Sequence, residues 1–319
     1  MNIGLVSCGG DSPGMNAAIR AAVRHGIALG ARVTGFRYGY DGILDGDCVD
    51  LQPNSVAGIL DHGGTFLGTG RSTRFPAEGG QQAAVDMLRI LKVDGLVVIG
   101  GDGSLRGAHA LGQLGFPVVG IPGTIDNDVY GTEATIGYDT CLNTILDAVS
   151  KIRDTASAHD RVFVVEVMGR NSGELALNSA LAGGADVVAI PEADLPTVSA
   201  CQAVEYGHRR GKLHTIVIVA EGTSSADQMA EYLSEHCPGR EVRKSVLGHI
   251  QRGGRPTARD CILGSRMGAR AVEALLEGAT DVMVGIRGDK LELVPLEVVI
   301  GNKKEIDLSI LDLIASLGL

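Results

Sequence analysis

Gly95-Leu96-Val97-Val98-Ile99-Gly100-Gly101-Asp102-Gly103-Ser104 joins an unbroken apolar run to a glycine-aspartate turn. A run this short, with no polar alternation, reads as a strand buried on both faces. The turn carries no bulk beside its backbone, and residues 104–114 beyond it show helical periodicity. Strand, glycine turn and helix in succession form the unit of a doubly wound α/β fold. The unit occurs twice more. Residues 3–8 run into Gly9-Gly10-Asp11-Ser12-Pro13-Gly14-Met15-Asn16 and a helical stretch over 14–29, and residues 117–121 run into Pro122-Gly123-Thr124-Ile125-Asp126-Asn127-Asp128.

Between these units, residues 32–37 predict a strand and 81–91 a helix. The alternation restarts after the third turn. It predicts helices over 139–158, 172–182 and 199–210, with strands over 161–168, 186–190 and 215–220. At 319 residues the chain exceeds what one hydrophobic core usually serves. Two lobes are expected, with a boundary near Tyr138 and no Pro/Ser linker there. The expected class is α/β, with two three-layer α/β/α lobes and mainly parallel sheets.

Net charge is −10, so the basic surface that a nucleic-acid partner requires is missing. Aromatic residues make up 3% and Trp is absent, which also speaks against a base-stacking platform. No apolar run reaches membrane-spanning length, and Met1-Asn2-Ile3-Gly4-Leu5-Val6 reads as a first strand rather than a leader. Six scattered cysteines without a CxxC pair fit a reducing cytoplasm better than a disulfide or zinc framework.

Each glycine turn lets backbone N–H groups approach phosphate oxygens at a helix start. The first, alone, is equally a tight turn with no ligand. The second adds Asp102, placed as a Mg²⁺ ligand held directly or through water. The third is expected to be extended, so that Asp126 and Asp128 share a face and one of them suits proton abstraction. Asx-type capping is the competing account of that segment. Arg170 after residues 161–168, and His249 with Arg252 near Gly253-Gly254, add cations beside glycine turns and suggest a second phosphate on an acceptor. Arg161 and Arg243 read as standing just outside apolar runs. Glu221 is placed to grip a sugar hydroxyl. A dinucleotide-binding oxidoreductase finds no support, because no Gly-x-Gly-x-x-Gly with a suitably spaced acid follows a strand.

Six segments together resemble bacterial 6-phosphofructokinases over essentially the whole chain. They are residues 9–16, Gly63-Gly64-Thr65-Phe66-Leu67-Gly68, Gly100–Ser104, Pro122–Asp128, Val165-Glu166-Val167-Met168-Gly169-Arg170 and Gly248-His249-Ile250-Gln251-Arg252-Gly253-Gly254. The resemblance implies transfer of a phosphoryl group from MgATP to the 1-hydroxyl of fructose 6-phosphate. It implies Asp126 as the base, with Thr124 and Asp128 placing the reacting groups, Arg170 stabilising developing charge and Asp102 holding Mg²⁺. ATP phosphates fall to Gly10, Arg71, Ser72, Gly101, Asp102, Gly103 and Ser104. The sugar phosphate falls to Thr124-Ile125-Asp126, Met168, Gly169, Arg170, Glu221 and His249-Ile250-Gln251-Arg252. Arg161 and Arg243 reach a neighbouring subunit's site in this resemblance, which implies a homotetramer. It also implies a site in a cleft between an ATP-binding lobe, residues 1–137 with 251–300, and a sugar-phosphate lobe, residues 138–250 with 301–319.

Relatives using pyrophosphate carry Asp and Lys where this chain has Gly103 and Gly123, so glycine at both is expected to leave nucleotide room. Ser72-Thr73-Arg74 departs from the aromatic-containing stretch usual after Arg71. Arg20, Arg24, Arg153, Asp186, Arg210 and Lys212 match an effector site for a nucleotide diphosphate or phosphoenolpyruvate. Pro53 and Leu213 replace basic residues there, and weakened control is expected. The competing readings are a pyrophosphate-dependent enzyme and a catalytically silent regulatory homologue.

Overall fold

The computed structural model describes residues 1–193, 197–237 and 239–317. The last two residues of the expected sugar-phosphate lobe, 318 and 319, lie outside the described residues. The elements run β1 (Asn2–Ser7), α1 (Met15–Ala28), β2 (Arg32–Phe36), α2 (Tyr40–Asp45), β3 (Cys48–Leu51), α3 (Gly80–Ile90), β4 (Gly95–Gly100), α4 (Asp102–Gln113) and β5 (Val118–Pro122). Then come α5 (Tyr138–His159), β6 (Arg161–Val167), α6 (Glu174–Gly183), β7 (Val187–Ala189), α7 (Thr197–Arg209), β8 (His214–Ala220), α8 (Ala226–His236) and β9 (Glu241–Val246). A 3-10 turn over Gly248–Arg252 leads to α9 (Ala258–Leu276), β10 (Val282–Arg287), β11 (Lys290–Pro295), α10 (Leu296–Gly301) and α11 (Ser309–Leu317). The chain divides into two compact units, Met1–Thr140 with Arg252–Lys304, and Cys141–Gln251 with the chain from Glu305 onward.

The first unit holds a sheet in the order β11-β10-β5-β4-β1-β2-β3. The inner strands are parallel, and the two edge strands β11 and β3 run antiparallel to their neighbours. Alternate side chains of a strand leave by opposite faces. Leu5, Val97, Ile99 and Val119 therefore join one core with Met15, Ile19 and Met267, while Val6, Leu96, Val98 and Val118 join the other with Phe36, Leu88 and Leu105. Two cores explain the unbroken apolar run of β4: both faces are dry. Each fully buried Val, Leu or Ile contributes about 1.5–3 kcal/mol. On one face α1 and α9 pack closely, because a Cβ at Gly264 or Gly268 would collide with the backbone of α1.

The second unit has a parallel sheet in the order β7-β8-β6-β9. Val162, Val164, Val217 and Val219 form its core with Val204 and Leu233. Edge strand β9 is largely exposed. Ser225 and Gln228 form a reciprocal cap at the start of α8, satisfying two otherwise orphaned N–H groups. No helix among the described residues is long and apolar enough to cross a membrane.

Candidate active site

Strands β5, β4 and β1 are neighbours, so their three glycine-aspartate turns emerge side by side at one edge of the first sheet. They touch. Ser104 in the first turn of α4 donates from Oγ to the Cys8 carbonyl at 3.0 Å, tying the second turn to the first. A Cβ at Gly100 would lie 2.5 Å from that Oγ, so only glycine fits. Gly123 N donates to the Gly100 carbonyl at 3.0 Å, and Gly101 faces Thr124, tying the third turn to the second. Gly101 caps α4 with no side-chain hydrogen bond, leaving the first N–H groups of the helix for an anion. Asp102 stands in that first turn, part-exposed and paired with Arg106 at 2.8 Å. Burial pushes the Cys8 thiol well above its ordinary range, which keeps it neutral beneath the turns.

Asp126 is 1% exposed. The segment carrying it is not extended, in contrast to the sequence expectation. Asn127 takes φ 51°, a left-handed conformation that Asn tolerates, and this breaks the alternation that would put Asp126 and Asp128 on one face. Thr124 Oγ1 accepts from Asp126 N at 3.2 Å, so the segment is a hydroxyl-braced turn. Ile125 is buried with it, while Asp128 is only part-buried. Gly123 also differs from expectation. A Cβ there would press on Met15 and Ile99 at 3.0 and 3.2 Å, so its smallness serves core packing. At Gly103 nothing lies within 4 Å of that position, and the space is open.

The strand-one turn also receives Arg252. Its Nη1 donates to the Asp11 carbonyl at 3.0 Å, and a Cβ at Gly10 would fall 2.6 Å from the same nitrogen. Arg71 is exposed and makes no hydrogen bond or ion pair among the described residues. Ser72 is otherwise engaged: its Oγ donates to Asp41 at 2.6 Å and accepts from Phe75 N at 2.9 Å. Arg74 clamps Asp41 and Asp45 on α2, and its hydrogen bond holds the Asp45 carboxyl below the usual range.

In the second unit, Met168, Gly169 and Arg170 follow β6, and Glu221 follows β8 beside it. Glu221 Oε1 accepts from Gly169 N at 3.3 Å and Arg170 N at 2.8 Å, holding Arg170 at φ 51°. His249 and Ile250 are exposed in the 3-10 turn. Gln251 is not: its Oε1 accepts from Met168 N at 3.0 Å, so it braces the turn after β6 and is closed to a ligand. Arg161 opens β6 and Arg243 lies inside β9, opposite Phe163, rather than outside an apolar run. Both hold Glu241, Arg161 at 2.5 Å, and the Arg161 hydrogen bond is the main force keeping that carboxyl below its usual range. They thus sit toward the amino-terminal end of a parallel sheet whose carboxyl-terminal end carries Met168, Gly169, Arg170 and Glu221. At ~3.3 Å per residue the length of β6 separates the two groups by about 20 Å.

The family description for phosphofructokinases matches residues 2–275. The chain belongs to the phosphofructokinase family. Among curated relatives, the ATP-dependent 6-phosphofructokinase of Natranaerobius thermophilus is 49% identical over 99% of both chains. That of Halalkalibacterium halodurans is 51% identical over 96% of both. The solved phosphofructokinase of Saccharomyces cerevisiae superposes with a TM-score of 0.89 at 36% identity, covering 94% of this chain and 45% of the yeast chain.

The residues expected at an effector site divide between the two units. Arg20 and Arg24 stand on α1 in the first unit, and Arg24 donates to the Pro53 carbonyl at 3.2 Å. In the second unit Lys212 pairs with Asp186, and Arg153 donates to the Gly183 carbonyl. Arg210 lies over the Tyr206 ring. Nearby His214 is held below its ordinary range by burial and by Lys212. Sequence reasoning missed Asn16, 3% exposed on α1. Its Oδ1 accepts from Phe66 N at 2.6 Å and its Nδ2 donates to the His62 carbonyl at 3.0 Å, fixing the glycine loop 63–68. A fully polar side chain on the buried face of α1 was the available signal.

Proposed function

We propose that the chain transfers the γ-phosphoryl group of ATP to the 1-hydroxyl of fructose 6-phosphate, giving fructose 1,6-bisphosphate and ADP, as a cytoplasmic enzyme of glycolysis. The observation that carries this reading is the 49% identity, over 99% of both chains, to an ATP-dependent 6-phosphofructokinase. The open space at Gly103 supports a nucleotide donor. A panel of ATP, other nucleoside triphosphates and pyrophosphate against several sugar monophosphates tests it. Turnover with pyrophosphate alone, or with no pair, overturns it.

In this reading the Asp126 carboxylate takes the proton of the 1-hydroxyl. The freed electron pair of that oxygen attacks the γ-phosphorus, and the bond to the bridging oxygen breaks with its electrons leaving on ADP. Thr124 and Asp128 place the reacting groups. The bare N–H groups of the Gly101–Ser104 turn, with Gly10 and Arg71, receive the ATP phosphates. Arg170 offsets negative charge on the migrating group. Among the described residues no three His, Cys, Asp or Glu side chains form a metal cluster. A part-exposed carboxylate at a phosphate-binding turn, here shared with Arg106, would suit Mg²⁺, an ion that commonly keeps waters and draws on substrate phosphates for other ligands. Asp102 is therefore assigned to it. Mg²⁺ supplies charge neutralisation on the donor phosphates.

The sugar phosphate is assigned to Met168, Gly169, Glu221, His249 and Arg252, completed by Arg161 and Arg243 of a neighbouring copy in a homotetramer. The separation of those two arginines from the turn after β6 supports a shared site. Arg243→Ser and Arg252→Ser should each cost about 10- to 100-fold in kcat/KM, the worth of a charge-assisted phosphate contact. Refolded as an equal mixture, the two variants should regain about a quarter of parental activity, because one site in four is statistically intact. No recovery would show that each site is built from one chain.

Gly10→Ala offers a second check. The added Cβ meets the far end of Arg252 at 2.6 Å, a flexible group that can swing away. Stability should change by under about 1 kcal/mol. KM for the sugar phosphate should rise about 10-fold, because Arg252 loses its place. An unchanged KM would remove Arg252 from the sugar-phosphate contacts.

A further inference from the structure

The turn that carries Asp126 is gripped at both flanks by one residue from a later segment. Thr135 Oγ1 donates to the Thr124 carbonyl at 2.6 Å. Thr135 N donates to Asn127 Oδ1 at 2.9 Å, and Asn127 Nδ2 donates to the Glu133 carbonyl at 3.1 Å. Thr124, Asp126, Asn127 and Thr135 are all buried, Thr135 to 1% exposure. The left-handed backbone at Asn127 is thus held by its own side chain across the gap to 133–135.

The gripping segment is itself anchored on three sides. Ile136 N donates to the Pro122 carbonyl at 2.9 Å, and Ile136 bridges to Gly123. Ser12 Oγ donates to the Ile136 carbonyl at 2.8 Å, from the turn after β1. Glu133 N donates to the Ile286 carbonyl at 3.0 Å, and Ile286 N donates back to Thr132 Oγ1 at 3.1 Å, on β10. A base must sit within a few tenths of an ångström of its working position, and a rigid support built of short, buried bonds supplies that.

We infer that Thr135, together with Asn127, is a positioning residue that sets where the Asp126 carboxylate stands relative to the attacking hydroxyl. The inference rests on the reading of Asp126 as the base. Thr135 touches no substrate in it; it acts through the Thr124–Asn127 turn. Removing its hydroxyl frees a buried carbonyl at one flank of the turn, while Met168, Gly169, Glu221, His249 and Arg252 and the Gly101–Ser104 turn are left untouched. The loss should therefore fall on turnover and not on affinity.

Thr135→Val keeps the shape and removes the donor, Thr135→Ser restores the donor, and Asn127→Gly permits the left-handed backbone without the side-chain clamp. Each is measured beside Asp126→Asn in the full chain, with kcat, KM for ATP and fructose 6-phosphate, and circular dichroism. Thr135→Val should lower kcat about 30-fold with both KM values within about 3-fold of the parent, a displacement of the base costing up to ~10²-fold. Thr135→Ser should recover kcat to within about 3-fold, and Asn127→Gly should lose about 10-fold on kcat alone. The double variant should lose less than the product of the singles, because both act through one turn. Should Thr135→Val fail to fold, Asn127→Gly carries the same test. A folded Thr135→Val or Asn127→Gly with parental kcat, beside an inactive Asp126→Asn, overturns the positioning role alone. An Asp126→Asn with parental kcat overturns the base assignment and the positioning role with it. A loss confined to KM overturns the inference in favour of a binding role.

Discussion

Asp126→Asn should lower kcat by about 10³-fold while KM for fructose 6-phosphate stays within about 3-fold of the parent, since general-base catalysis is worth 10²–10⁴-fold and acts in the transition state. The carboxamide has nearly the shape of the carboxylate, and the turn around it is held by backbone groups and by Thr124, Asn127 and Thr135. The fold therefore has no reason to change. What the substitution removes is the capacity to take a proton at a site only 1% exposed, where bulk water is a poor substitute. Steady-state kinetics with each substrate varied in turn settles the matter. A KM that rises a hundredfold at constant kcat would make residue 126 a ligand for the sugar and leave the proton without an acceptor.

The three glycine-aspartate turns were legible because glycine punctuates sequence locally, and because a short apolar run followed by a helix has few alternatives. The parallel sense of these strands followed the same alternation, whereas the adjacency of β5, β4 and β1, which sets those turns side by side, was not read from the sequence. The conformation of the third turn was not legible. Alternation along an extended segment is a local rule, and it failed at Asn127 because the left-handed backbone there is held by groups six to eight residues further on. Gly123 misled for a similar reason. A glycine can be small for a ligand or small for a neighbour, and only the position of Met15 and Ile99 decides between them. The antiparallel pair β10–β11 was not read from the sequence, although Gly288-Asp289 between two strand-like runs is a two-residue hairpin signal; β10 is buried through Met283, Val284 and Gly285, and only β11 is half-exposed. Gln251 read as a ligand because its neighbours do, and its inward turn depends on Met168, 83 residues away.

Asp260 shows the same long reach with the larger consequence for stability. It lies in the first turn of α9, 1% exposed, and its two carboxylate oxygens accept from Gly137 N at 2.9 Å, Thr140 N at 2.8 Å and Thr140 Oγ1 at 2.5 Å. It thereby caps the amino-terminal end of α5 from another helix, satisfying donors that would otherwise be orphaned. Burial pushes its carboxyl above the usual range, against the three donors that pull it down. Asp260→Asn keeps the volume but offers one acceptor oxygen, and turns an NH₂ group against an N–H donor. The expected cost is about 3 kcal/mol, from the lost Gly137 bond and the unpaired buried NH₂ turned against it. For a unit of this size that lowers Tm by roughly 6–12 °C in calorimetry. The pH dependence has a definite sign. A carboxyl raised in the folded state binds its proton more tightly there than in the unfolded chain. Its contribution is full below the unfolded value near ~3.9 and is lost as pH rises through the folded value. The Tm deficit of Asp260→Asn should therefore be larger at acid pH than at neutral pH. An Asn variant as stable as the parent at neutral pH would mean that the cost of burying the charge outweighs all three hydrogen bonds, and that the start of α5 is held by Thr257 and its neighbours instead.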